Sequence, residues 1–163
     1  MAISREIRDH LEARAPGRAV LAALERLLAE DAHLLMVDAN ERSISHRFGM
    51  HLQAELPEFH VDCEYNRTGV DPKRIDHLYL GTDIHDTDGK TAFPDVIAHI
   101  RGPGRNYLVV EFKKSNSNVG FEFDFRKLRG YKGDQRLNYE HALFIELAVN
   151  GQAGVSRAEW VDA

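Results

Sequence analysis

Three charged residues in two neighbouring stretches of the chain have the types and the spacing that metal-dependent hydrolysis needs. Asp95 lies in residues 91–100, and Glu111 and Lys113 lie in residues 106–114. Both stretches have the composition of β-strands, and the RGPGR sequence between them predicts a tight turn. We therefore expect one β-hairpin that carries all three residues.

The register of this hairpin follows from its turn. If the turn is centred on Pro103, residues directly opposite each other have numbers that sum to 206, so Asp95 faces Glu111. Alternation along the strands places Lys113 on the same face as both carboxylates. Directly opposed residues have Cβ atoms about 4.5 to 5.5 Å apart, and like charges placed there destabilise a sheet. The two carboxylates therefore need a bound cation or a raised pKa.

A divalent metal ion would hold the two carboxylates together. Hard oxygen ligands from two carboxylates, completed by water, describe a Mg²⁺ or Mn²⁺ site. Beside a metal-bound water, the Lys113 ammonium could orient the nucleophile and offset the charge that develops on a phosphate. The alternative is a structural ion pair, in which Lys113 binds Glu111 or Asp95 on an exposed face of the sheet.

Two helices are predicted before the hairpin. Apolar residues recur three and four apart over residues 18–36, which indicates an amphipathic helix. A second helix is predicted to begin after Asn40, a favourable N-cap, and to end near Leu56. Glu41 is expected in line with the buried stripe of this second helix. An acidic residue there complements the helix dipole, but its alignment with apolar side chains also allows a role in a buried site.

The remaining elements are predicted from alternation and from turn residues. Residues 60–67 alternate as a half-buried strand, residues 121–129 form a short helix, and residues 142–147 form a last strand. The polar stretch 68–90 is too long for a simple connection, and long loops of this kind are often functional. The predicted order is helix, three strands, helix and strand, preceded by the extra N-terminal helix, in one domain over residues 1–163.

Pro94-Asp95 and, after one hairpin, Glu111-Phe112-Lys113 resemble the signature of the PD-(D/E)XK nuclease superfamily. That superfamily has a restriction-endonuclease-like core with the same order of elements. The resemblance covers about residues 40–148 and implies an α/β (α+β) class, with a central mixed β-sheet flanked by helices.

The resemblance also implies a role for each residue of the signature. Asp95, Glu111 and the backbone carbonyl of Phe112 would bind Mg²⁺ or Mn²⁺, and Lys113 would assist the attacking water. Many members carry a glutamate on the helix before the first core strand, as a metal ligand or beside the ligands. Glu41 is in the corresponding place.

Further residues are expected at the edge of the site. Some exonucleases of the superfamily have a Gln-x-x-x-Tyr motif on the helix after the lysine strand, and Gln135 and Tyr139 have its spacing, so they are candidate substrate contacts. The alternative is that Tyr139 packs at a strand end. Lys114 and Arg126 are expected to contact the phosphate backbone of a nucleic acid. Glu64 is expected to support the metal from behind its ligands.

Composition limits the remaining function classes. The 163 residues, 43% hydrophobic and 29% charged, are typical of one globular domain and exclude a disordered or disulfide-rich class. No segment has the roughly 18 consecutive apolar residues of a membrane span, so no membrane partner is expected. The amino terminus lacks the pattern of a secretory signal and Cys63 is the lone cysteine, which together predict a cytoplasmic protein.

The net charge of −5 argues at first against a nucleic-acid partner. Residues 101–136, however, contain nine Lys or Arg and four Asp or Glu, a local balance of +5 that leaves −10 for the rest of the chain. Such asymmetry is typical of a groove for a polyanion, although a solvated helix face gives the same count.

The sequence therefore predicts a Mg²⁺-dependent nuclease that hydrolyses phosphodiester bonds, with DNA favoured over RNA. Three alternatives stay open. The first is a catalytically silent nucleic-acid-binding or structural module with the same fold, and the second is a hydrolase of a small phosphorylated molecule. The third is a structure-selective resolvase of the same superfamily, which would need a homodimer.

Overall fold

The structure is a computed structural model. It describes residues 3–68, 71–72, 74–75, 90–91, 93–102 and 104–163. Most of the polar stretch 68–90, which was expected to be functional, lies outside the described residues, as does Pro103 at the predicted centre of the turn.

Four helices precede the first strand, and a fifth helix lies between the seventh and eighth strands of the described chain. The helices are α1 (Arg5–Glu12), α2 (Gly17–Glu30), α3 (Ala32–Met36), α4 (Glu41–Glu55) and α5 (Glu122–Gly133). The strands are β1 (His60–Cys63), β2 (Arg67–Thr68), β3 (Asp71–Pro72), β4 (Arg74–Ile75), β5 (Lys90–Thr91), β6 (Val96–His99), β7 (Asn106–Lys114), β8 (His141–Ala148) and β9 (Gly154–Val161).

Five of the strands form one mixed sheet in the order β1-β6-β7-β8-β9. Neighbouring strands are antiparallel except for β7 and β8, which are parallel. A parallel pair needs a crossover connection, and α5 provides it. The other four strands, of two residues each, pair as β2 with β3 and β4 with β5. The fold is therefore α/β with a central mixed sheet and flanking helices, as predicted at that level.

The sheet has a hydrophobic core on each face. One core joins the sheet to α1, α2, α3 and α4, and the other joins it to α5. Strand alternation divides β7 between them, since Val110 and Phe112 belong to the first core and Val109 to the second. From Val109 to Lys113, the odd-numbered side chains of β7 therefore face α5. Glu111 and Lys113 are on that face.

The N-terminal region differs from the single helix predicted over residues 18–36. The helix is divided at Asp31 into α2 and α3, because the Asp31 carboxylate accepts hydrogen bonds from Arg47 Nε at 2.8 Å and His51 Nε2 at 2.7 Å. The sequence analysis also missed α1, which Ser4 caps by accepting from the Ile7 N–H at 3.2 Å.

The helix that begins the predicted core is placed as expected. Asn40 Oδ1 accepts from the Ser43 N–H at 2.8 Å, which is an N-cap hydrogen bond. The predicted stripe of Ile44, Phe48 and Leu52 is buried, and the Phe48 ring contacts Phe112 edge-on. This packing fixes α4 over the strand that carries Glu111 and Lys113.

Three further elements differ from their predicted bounds. α5 continues to Gly133 through Gly130, which was expected to end it. β1 is shorter than predicted because Glu64 adopts a left-handed conformation, with φ of 50°, which interrupts extended backbone. β9 was not predicted, and it adds a fifth strand beside β8. No helix among the described residues has the length and apolar character that a membrane span requires.

Candidate active site

The hairpin pairs β6 with β7 in the predicted register. The pairs whose numbers sum to 206 are Val96 with Val110, Ile97 with Val109 and Ala98 with Leu108. The register shifts between Ala98 and His99, on the side of the turn, so the other end of the hairpin keeps the predicted alignment. Continued by one residue past Val96, this alignment places Asp95 opposite Glu111.

Pro94 changes the hydrogen bonding at this end of the ladder. The Glu64 N–H donates to the Asp95 carbonyl at 3.2 Å, so the main-chain groups of Asp95 face β1. Those of Pro94 face β7 in turn, but proline has no N–H and cannot donate to the Phe112 carbonyl opposite it. The Phe112 N–H donates to Asp95 Oδ2 at 2.7 Å. Because the N–H and C=O of one strand residue point the same way, the Phe112 carbonyl also faces Asp95.

Glu111 and Asp95 are carboxylates in an unfavourable environment. Glu111 is 1% exposed, and its Oε1 is buried with no hydrogen-bond partner among the described residues. Burial, and then the charge of Asp95, raise the pKa of Glu111 well above its usual value. Burial also raises the pKa of Asp95, although the Phe112 N–H opposes this shift. Both groups therefore favour a proton or a cation more than exposed carboxylates do.

Two lysines form ion pairs between β7 and α5. Lys113 Nζ lies 2.7 Å from Asp124 Oδ2, and Lys127 Nζ lies 2.7 Å from Glu111 Oε2. The expected alternative, an ion pair of Lys113 with Glu111 or Asp95, is therefore wrong about the partner. The physical reason is that α5 covers this face of the sheet, and Asp124 and Lys127, three residues apart, lie on the same side of the helix.

Glu41 is the first residue of α4 and is half-buried. Its pKa is raised by burial first, and then by the charge of Asp95, which outweighs the opposing effect of Lys113. The charge of Asp124 raises it further. The helix therefore brings Glu41 within electrostatic reach of the residues that the sequence analysis grouped with it.

We call these residues the carboxylate cluster. Its four acids and two lysines are Glu41, Asp95, Glu111, Asp124, Lys113 and Lys127. With every group ionised, four negative and two positive charges leave a balance of −2. Uncompensated charge in a partly buried place favours protonation or the binding of a divalent cation.

The oxygen donors of the cluster suit a magnesium ion that keeps several of its waters. Mg²⁺ is commonly held by one or two carboxylates and keeps several waters. Asp95, Glu111 and the Phe112 carbonyl are the hard oxygen donors that could hold it, and the unpartnered Glu111 Oε1 is one available lone-pair donor. Within the described ranges, no group of three or more His, Cys, Asp or Glu side chains is arranged to hold a metal. The fit is therefore to an ion completed by water.

Two predicted residues are engaged by ion pairs at the border of the cluster. Glu64 is exposed, and its carboxylate lies 2.7 Å from Arg42 Nε. Lys114 points to the other face of β7, as predicted, where its Nζ donates to Asp38 Oδ1 at 2.8 Å and to the Ala39 carbonyl at 3.2 Å. Lys114 thus ties the end of β7 to the segment that leads into α4.

The predicted substrate contacts after β7 are divided between surface and core. Arg126 is exposed on α5, and Gln135 is exposed just after the helix ends. Tyr139 is 1% exposed, and its ring packs edge-on against Tyr131. Gln135 and Tyr139 therefore do not lie on a helix as the motif does in those exonucleases, because α5 ends at Gly133. The packing alternative describes Tyr139.

Lys127 and Asp124 were not among the site residues predicted from the sequence. A signal was present, since Asp124, Lys127 and Tyr131 are three and four residues apart and therefore share one side of α5. Phe125 and Leu128 form the neighbouring apolar stripe, which packs on the sheet. Charged residues beside a buried stripe can reach the strands beneath it.

Comparison of the chain with protein-family models, with curated proteins and with solved structures gives no match. The geometry of the carboxylate cluster therefore carries the functional argument.

Proposed function

We propose that this protein is a Mg²⁺-dependent nuclease that hydrolyses phosphodiester bonds, with DNA as the favoured substrate. One observation carries the proposal. The half-buried Asp95 and the buried Glu111 meet at the end of one hairpin, in a cluster whose charge balance is −2 when every group is ionised. Asp95 and Glu111 would hold a divalent cation that offsets this charge, and the Lys113 ammonium lies on the same face of β7 as Glu111.

The order of elements supports the same proposal. When the two-residue strands β2 to β5 and the last strand β9 are set aside, the order α4, β1, β6, β7, α5 and β8 is compatible with the helix, three strands, helix and strand that the PD-(D/E)XK resemblance implies. The restriction-endonuclease-like core is part of what we propose. The DNA substrate, a homodimer and a cytoplasmic location stay predictions from the sequence.

Each residue of the proposed site has a role that its position allows. Asp95, Glu111 and the Phe112 carbonyl would hold Mg²⁺, and the ion would supply a more acidic water and an electrophile for the phosphate. Lys113, held by Asp124, would position the attacking water and offset charge on the phosphate. Glu41 would add negative charge that favours cation binding.

The test is cleavage of plasmid and oligonucleotide substrates with Mg²⁺ or Mn²⁺. Asp95→Asn and Lys113→Met keep the size of each side chain, and each should lower the cleavage rate by roughly 10² to 10⁴. Asp9→Asn is the matched control, because Asp9 is exposed on α1 and pairs only weakly with Arg5. It should cleave as the wild type does.

The outcome decides between the alternatives. Cleavage by the wild type that equals cleavage by Asp95→Asn would overturn the nuclease proposal. Salt-dependent DNA binding without cleavage by any form would favour the silent binding module. Hydrolysis of a small phosphate ester with no DNA binding would favour the small-molecule hydrolase.

A further inference from the structure

Lys127 is the cationic side chain in contact with Glu111. Its Nζ lies 2.7 Å from Glu111 Oε2 and 3.4 Å from the Phe93 carbonyl. The lysine side chain is 13% exposed and the glutamate side chain 1% exposed, so this ion pair is largely removed from water. Lys127 is therefore the immediate counter-ion of a proposed metal ligand.

The two lysines of the cluster are not equivalent. Lys113 binds Asp124, which is not one of the proposed metal ligands, whereas Lys127 binds Glu111, which is. A divalent cation bound to Asp95 and to Glu111 Oε1 would place positive charge beside the Lys127 ammonium on Oε2 and would draw charge from the shared carboxylate, so it would weaken this ion pair. It would leave the pair between Lys113 and Asp124 intact.

We propose that Lys127 is the exchangeable counter-ion of the site: its ammonium positions Glu111 in the metal-free protein and is displaced from Glu111 when a divalent cation binds. This inference rests on the proposed function, because it requires Asp95 and Glu111 to be the metal ligands. Lys127 is a positioning residue that sets the metal affinity of the site.

The charges of the cluster make the exchange reasonable. Four acids, two lysines and one divalent cation sum to zero, so Lys127 can stay near the cluster after it releases Glu111. Lysine has a flexible four-carbon stem and three rotatable donors, which suits a group that changes partners. The Phe93 carbonyl is already within reach of its Nζ.

The test measures Mn²⁺ affinity by isothermal titration calorimetry on the full chain. Lys127→Met removes the competing ammonium and keeps the length of the side chain, so we expect Mn²⁺ to bind roughly tenfold or more tightly than to the wild type. The metal-free variant should unfold at a lower denaturant concentration, because Glu111 loses its partner.

Two controls separate competition from a general change in charge. Lys113→Met removes the same charge from the same cluster but frees no proposed ligand, so it should tighten Mn²⁺ binding less than Lys127→Met does. Lys132→Met removes a charge from the same helix, where Nζ donates to the Glu140 carbonyl at 2.7 Å, and should leave the affinity unchanged.

A second measurement uses the wild type and does not depend on the folding of a variant. In a Mg²⁺ titration followed by NMR, the side-chain Cε resonance of Lys127 should shift with the same midpoint as metal binding. Equal Mn²⁺ affinity of Lys127→Met and the wild type, or a Lys127 resonance that ignores bound Mg²⁺, would overturn the inference. If the wild type still cleaves DNA, either of these results would leave the nuclease proposal standing. If no form of the protein binds metal or cleaves DNA, both the nuclease proposal and the role of Lys127 are overturned.

Discussion

Replacing Glu111 by glutamine removes one buried negative charge and keeps the size of the side chain. Glu111 has a pKa raised well above 4.5, chiefly by burial and next by the charge of Asp95. A carboxyl with a raised pKa in the folded state binds its proton more tightly there than in the unfolded state. It therefore stabilises the fold below pH 4.5, and this stabilisation is lost as the pH rises toward the folded pKa.

The magnitude follows from this linkage. Every tenfold gain in proton affinity on folding corresponds to about 1.4 kcal/mol of stability that is lost across the titration. Glu111→Gln cannot titrate, so it escapes this loss. We therefore expect the unfolding free energy of Glu111→Gln to increase relative to that of the wild type as the pH rises above 4.5, the pKa of an unperturbed glutamate.

The Lys127 ion pair favours the ionised form of Glu111, and its opposing effect is already included in the net rise of the Glu111 pKa, because the charge and the hydrogen bond of Lys127 both lower that pKa. Lys127 keeps two other acids within reach, since the charges of Asp95 and Asp124 also raise its pKa. The variant therefore lowers an excess of negative charge and does not leave an isolated cation. The informative quantity is how the difference in unfolding free energy between Glu111→Gln and the wild type changes with pH, more than its value at any one pH.

The assay is urea unfolding followed by circular dichroism at pH 5, 6, 7 and 8 with a chelator present. Glu30→Gln is the matched control, because Glu30 is exposed and lies 3.7 Å from Arg26 on α2. Its stability should follow the wild type at every pH. Parallel stability curves for the wild type and Glu111→Gln would refute the argument, because they would mean that Glu111 is not strained by burial and by Asp95.

Two further predictions concern the scaffold around the site. Gly17→Ala should lower the unfolding free energy by about 2 kcal/mol or more, because a Cβ there would lie 1.7 Å from the Leu11 carbonyl oxygen, which is backbone and cannot move aside. Urea denaturation measures this loss. A variant as stable as the wild type would contradict the packing of α1 on α2. Cys63 should react slowly with iodoacetamide at pH 8, because burial raises its thiol pKa to about 11 and the thiolate is the nucleophile. Labelling as fast as that of the urea-unfolded chain would show that the thiol is not held as described.

The hairpin was predictable because its register depends on local rules. Alternation along two strands and a turn between them fix which residues are opposite, and the shift at His99 lies on the turn side of the site. That register places Asp95 beside the Phe112 N–H that donates to its carboxylate, and the missing N–H of Pro94 leaves the Phe112 carbonyl without a donor from that residue.

The partners of the lysines were less accessible from sequence, because they depend on how α5 lies across the sheet. The spacing of Asp124 and Lys127 places them on one side of a helix but does not say which strand they meet. Strand alternation likewise places Lys113 on a face without choosing its partner. The packing of α5 against β7 brings Lys113 to Asp124 and Lys127 to Glu111.

Other errors came from local signals that tertiary contacts overrode. The apolar repeat continues past Asp31, yet the bonds of Asp31 to Arg47 and His51 divide the helix there. Gly130 is unfavourable in a helix, yet α5 continues through it because Leu128 and Tyr131 are buried on either side.

The most direct test of the account is a crystal structure of the wild type soaked with Mn²⁺, with the ion located from its anomalous scattering. The account predicts one cation between Asp95 and Glu111, with Lys127 Nζ no longer bonded to Glu111 Oε2. Diverging carboxylates, or Lys127 still bonded to Glu111 with no anomalous signal at saturating Mn²⁺, would contradict it.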